Sequence, residues 1–147
     1  MKIDPVARLS MDDLATTTVR LGVELERKWR AAFVGSTSHD FGFATRSLRR
    51  IAERDPFDPR DDASLKGLRD ILDTDLSAEI VGYERRFFET HEDANGQHGE
   101  VMDVPVYTQR GQDLLAVQDT LAGFIAARDA TLDRIAAVRC LEKLMSA

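Results

Sequence analysis

Residues 109–145 read QRGQDLLAVQDTLAGFIAARDATLDRIAAVRCLEKLM. The stretch has no proline, and its apolar residues return at helical spacing. Read as one helix of about 37 residues, it is roughly 55 Å long at about 1.5 Å per residue. A compact domain of this chain length has a radius of gyration near ~15 Å and a diameter near ~40 Å. Such a helix overshoots a spherical domain, so the sequence predicts an elongated protein, a helix lent to a partner, or a break. Leu114, Val117, Leu121, Phe124, Ile125, Leu132 and Ile135 make its stripe, with Arg128 and Arg139 inside it. Past residue 137 the apolar set Val138, Leu141 and Met145 turns to another face. That rotation predicts a kink near 137 or a second contact, either another subunit or a folded-back N-terminus. A charge in an apolar seam needs a partner, and an acidic residue on a second copy or another protein is an economical one, so Arg128, Val138, Arg139, Leu141 and Met145 are the predicted interface.

Upstream of this stretch, HEDANGQHG (91–99) reads as a polar loop with two glycines. Residues 101–107, VMDVPVY, are β-branched, but Pro105 cannot donate a ladder bond. The expectation for 91–107 is a loop and an extended strap laid against a bundle. Before it, Leu65, Leu68, Leu72, Leu76, Ile80, Tyr83 and Phe87 share one helical face, predicting a helix from Ser64 to about residue 90. Asp55-Pro56-Phe57-Asp58-Pro59 is the clearest break in the chain.

Nearer the N-terminus, Ser10 reads as an N-cap with Asp12 and Asp13 in the first turn. Met11, Leu14, Thr18, Leu21, Leu25, Trp29 and Ala32 then form an amphipathic stripe, flanked by a Glu24–Lys28 pair. Gly35-Ser36-Thr37-Ser38 is a weak point where that helix ends or runs through. Phe41, Ala44, Leu48, Ile51 and Ala52 make the next stripe, crowded by Arg46, Arg49, Arg50 and Arg54. Residues 1–9 read as an extended lead-in because of Pro5. The fold expected from these stripes is a single all-α domain over 1–147, an elongated bundle of three to four helices with one irregular strap.

Composition narrows the function classes. The net charge of −6 argues against general nucleic-acid binding, which needs a positive field. No run of about 18 apolar residues is present, so no membrane span is expected. MKIDPVARLSMDDL lacks the apolar core of a signal peptide, and the one cysteine, Cys140, permits no internal disulfide. Both features predict a cytoplasmic protein. Arginine outnumbers lysine 16 to 4, which reads as the mark of a GC-rich, bacterial genome.

Four groups of residues invite a chemical reading. The run Phe33-Val34-Gly35-Ser36-Thr37-Ser38-His39-Asp40-Phe41 resembles the phosphoacceptor box of sensor histidine kinases. The resemblance implies a phosphorelay protein in which His39 carries the phosphoryl group and Asp40 orients it. Gly42 and Ala44 depart from the family pattern, and no glycine-rich ATP-binding segment follows. The spacing of Arg85 or Arg86 to His91 resembles that of the HEPN ribonucleases, all-helical proteins of this size. The resemblance implies that the arginine and histidine hold a phosphate and assist attack by a 2′-hydroxyl.

The start of 91–96 resembles an EF-hand loop at Asp93, Asn95 and Gly96, but His91 and Met102 stand at the outer ligand positions. His91, Glu92, His98 and Glu100 offer zinc-ligand types without a structural zinc spacing. A solvated turn is therefore expected, with no metal and no cofactor. The remaining expectation is a non-enzymatic interaction, assembly or structural subunit, self-associating or bound to a protein partner through its long helices. Phosphotransfer through His39 is the alternative, and a HEPN-type ribonuclease the third.

Overall fold

A computed structural model describes residues 10–32, 46–52 and 55–146. The lead-in, Met11's side chain, Gly35, His39, Asp40, Phe41 and Ala44 lie outside what is described. Helix α1 spans Met11–Ala32. It begins at Ser10, whose Oγ accepts the Asp13 amide at 3.2 Å, the bond an N-cap supplies to an otherwise orphaned donor. Leu14, Thr18, Leu25 and Trp29 are buried, and Leu21 and Ala32 partly so, as the 3–4 spacing predicts. Lys28 Nζ lies 3.0 Å from Glu24 Oε1 on the flank.

Residues 46–52 form a second helix, α2, which buries Leu48 and Ile51. The Asp55–Pro59 break leads into a 3-10 turn, Pro59–Asp61, and directly into α3, Asp62–Ala78. Asp58 caps the turn: its Oδ1 accepts the Arg60 amide at 2.9 Å. The Arg60 side chain folds back on the same carboxylate and, with that amide, pulls its pKa down to about 2. Two arginines from other helices hold this corner. Arg50 of α2 pairs with the buried Asp61. Arg128 comes from the long helix α4, Gln109–Met145. Its Nε donates to Pro56 O at 2.8 Å, its Nη2 to Asp58 O at 2.6 Å, and its Nη1 pairs with Asp62 at 2.6 Å.

Helix α4 runs unbroken for 37 residues from a Thr108 cap, whose Oγ1 accepts the Gly111 amide at 3.1 Å. It is the spine of the molecule. Thr131 meets Thr18 and Thr120 meets Lys28, so α1 lies antiparallel to it. Gln118 meets Asp73 at 3.0 Å and Arg128 meets Asp62, so α3 is antiparallel to it as well. Between the helices sits one apolar cluster, including Leu25, Trp29, Leu48, Ile51, Leu68, Leu72, Leu114, Leu121 and Phe124.

The all-α expectation is overturned by residues 80–107. The predicted helix over 64 to about 90 stops at Ala78, and the predicted loop and strap are paired β-structure. Strand β1, Ile80–Asp93, pairs antiparallel with β2, Gly96–Tyr107, in a two-stranded ribbon. Ile80, Tyr83 and Phe87 continue the leucine spacing of α3 only by coincidence. The segment IVGYERRFFET has β-branched and aromatic residues at both parities, which favour a strand, and Gly82 weakens a helix. Pro105, opposite Tyr83, does not forbid this. Both strands of a two-stranded ribbon are edges, so alternate amides point outward and a proline at such a position leaves the ladder intact.

HEDANGQHG is the tip of the ribbon rather than a loop. Ala94 and Asn95 form the turn, the Asn95 amide donates to Asp93 Oδ1 at 2.8 Å, and Gly96 takes a φ of 116°. No other described residue has a positive φ, so this is not a primed two-residue turn. The positive φ falls on the residue after the turn, as in a hairpin loop closed by a glycine bulge. Gly99 is fixed by a close approach: a Cβ there would stand 2.0 Å from the Phe88 carbonyl oxygen. At the root, the Thr108 amide donates to Glu79 O at 3.0 Å, and Thr108 Oγ1 donates to the Glu79 carboxylate. Arg110 Nη1 reaches the same carboxylate at 3.0 Å. The Thr108 hydroxyl and then the Arg110 guanidinium hold that carboxyl below its usual pKa.

Candidate functional site

The ribbon leaves the helical body at Glu79 and Thr108 as an arm. Twelve residues of strand at about 3.3 Å each make it roughly 40 Å long. Beyond the root almost every residue is exposed, including Val81, Tyr83, Phe87, Phe88, Val101 and Met102. Pairing distributes these over both faces. Tyr83 lies opposite Pro105 and Phe87 opposite Val101; Arg86 lies opposite Met102 and Phe88 opposite Glu100. A lone two-stranded hairpin is marginal in water, and this one holds out apolar side chains in two directions.

At the far end, three side chains converge. His91 pairs directly with His98 across the ribbon, and their rings stack with centroids 4.6 Å apart. Asp93 lies two residues beyond His91, on the same face by the alternation of a strand. Its Oδ1 accepts from His98 Nε2 at 3.0 Å. One ligand-type atom from each of the three lies within 4.8 Å of the others. Among the described residues this is the group whose geometry suits a metal ion. Sequence reasoning had His91 and His98 in view but matched them with Glu92 and Glu100. Glu92 falls on the opposite parity from His91, and Glu100 sits across from Phe88. The signal that finds Asp93 is the turn: once Asn95-Gly96 is read as a hairpin tip, 91, 93 and 98 share a face.

Arg85 and His91 are six residues apart on an extended strand, about 20 Å; Arg86 is one residue closer. They cannot meet on one phosphate, and the helical setting of the HEPN resemblance is absent here. Arg85 instead lies 3.7 Å from Asp103, and Arg86 2.9 Å from Glu84. Arg128 is 2% exposed and finds its oxygen partners within its own chain, so the counter-charge expected on a second protein is not needed. Val138, Arg139, Cys140, Leu141, Leu144 and Met145 are all exposed on the end of α4. The cleft beside Arg128, lined by Asp62, Lys66, Arg69 and Asp129, is about 270 Å³, below the usual range of about 300–1,000 Å³ for small-molecule sites.

No helix among the described residues is long and apolar enough to cross a membrane. Neither a protein family, nor a curated protein, nor a solved structure matches the chain.

Proposed function

We propose that the protein is a non-enzymatic assembly subunit that binds another protein chain through its β-arm and the free end of α4, a second copy being the simplest partner. The observation that carries this reading is the arm itself. A ribbon with Tyr83, Phe87, Phe88, Val101 and Met102 in solvent has little apolar burial to hold it, and exposed apolar patches of this kind mark interaction surfaces. Its two open edges can also accept a further strand. The end of α4 adds Val138 at 43%, Leu141 at 59% and Leu144 at 76% exposure.

Light scattering across the micromolar range tests the proposal. The full chain is expected to have a mass above that of one chain, and a Phe87→Ser/Phe88→Ser variant to fall to a monomer while keeping its helical circular dichroism. A full chain that stays monomeric throughout, with slow amide exchange along the ribbon, would sink the self-association arrangement, because the arm would then be stable uncovered.

A further inference from the structure

We infer that the tip of the arm is a binding site for a borderline divalent transition-metal ion of the zinc type, held by His91, Asp93 and His98. Two imidazoles and one carboxylate form a donor set that suits such ions, and a three-residue set leaves a coordination position for water or a further ligand. The spacing fits. Two ligands of a tetrahedral ion at about 2.0–2.1 Å stand about 3.3 Å apart, and His98 Nε2 and Asp93 Oδ1 are already 3.0 Å apart. An ion there takes the place of the shared proton between them. His91 completes the set, since the ligand atoms of the three residues all lie within 4.8 Å of one another.

The backbone fixes this arrangement before any ion arrives. His91 and His98 are a cross-strand pair, and Asp93 is held by the Asn95 amide through the oxygen that also meets His98. The register shift between Glu89 and His91 leaves Thr90 as the extra residue of a bulge. Thr90 Oγ1 donates to His98 O at 3.0 Å and stands 3.3 Å from His91 Nδ1. With its proton spent on the carbonyl, the hydroxyl oxygen accepts from Nδ1–H, which leaves Nε2 of His91 as the nitrogen with a lone pair to give. Orienting bonds of this kind are what outer groups supply at metal sites. The ion would tie the two strands together seven residues apart, at the end of the arm farthest from the body.

The test is a zinc titration of the untagged, metal-stripped full chain in competition with a chromogenic chelator. One ion per chain is expected. His91→Ala and His98→Ala should each weaken binding by about tenfold or more, since loss of even an outer-shell partner costs about 10–100-fold. Asp93→Asn, which can still accept the Asn95 amide, should weaken it too, and Cys140→Ser should not. Amide exchange over 80–107 should slow on adding zinc and remain unchanged in His98→Ala. Absence of binding overturns the inference. So does binding that survives loss of both histidines, binding that follows Cys140, or binding that leaves exchange of the ribbon unaltered.

Discussion

Arg128 shows how one side chain can hold a corner that lies some seventy residues away in the chain. Its guanidinium reaches two carbonyls of the 55–59 break and the Asp62 carboxylate, while only 2% of the residue meets solvent. Replacing it with methionine leaves two carbonyls without donors, at about 1–3 kcal/mol for each buried unsatisfied group. The expected loss is about 2–4 kcal/mol in urea unfolding, with lysine recovering only part, because its three donors share one nitrogen and cannot span acceptors that Arg128 reaches from Nε, Nη1 and Nη2. A loss below about 0.5 kcal/mol would show that the corner is held by Arg50 and Asp61 instead. The sequence places Arg128 correctly in a buried stripe and misreads its partner. Spacing along one helix says which residues face inward, but a backbone carbonyl some seventy positions away leaves no mark in the charge pattern. Asp58-Pro59 is legible in hindsight, since an aspartate before a proline at the first position of a turn is a cap and not merely a break.

At the scale of elements, the helices are readable and the ribbon is not, for a definite reason. The stripes of α1, α3 and α4 bury one face each, so hydrophobic period and structure agree over Leu14–Trp29, Leu65–Leu76 and Leu114–Phe124. The ribbon buries neither face, so no period of two is imposed on it. Phe87 and Phe88 stand side by side, and period reasoning has nothing to lock onto. What remained was local chemistry: Asn95-Gly96 at the turn and β-branched residues on either side. Gly99 gives the element its own test. Gly99→Ala sets a methyl against the Phe88 carbonyl, so the strands must part there. Amide exchange over 86–102 is expected to quicken by tenfold or more, about 1.4 kcal/mol, while the helical circular dichroism is unchanged. Unaltered exchange would mean that the ribbon has room for a methyl group at position 99.

For the whole molecule, the decisive relation is that Glu79 and Thr108 share a hydrogen bond across the root. Of the 28 residues between them, Tyr107 packs against the apolar cluster of the helical body, and beyond the root almost every residue is exposed. Replacing 81–106 by a short glycine–serine turn, which keeps Ile80 and Tyr107 at the root, is expected to leave the cooperative thermal unfolding of the body within about 0.5–1 kcal/mol, the scale of a surface change, and to abolish association through the arm. Collapse of the helical signal on excision would show that the arm supports the body. Antiparallel pairing also gives such an arm an arithmetic of its own. Each added pair of residues pushes the tip out by about 3.4 Å and reverses the face on which it sits. One extra pair between root and tip turns His91, Asp93 and His98 away from their present side; two extra pairs restore it. The reach of the arm can drift in small steps, but the side to which its tip is presented is a matter of odd and even.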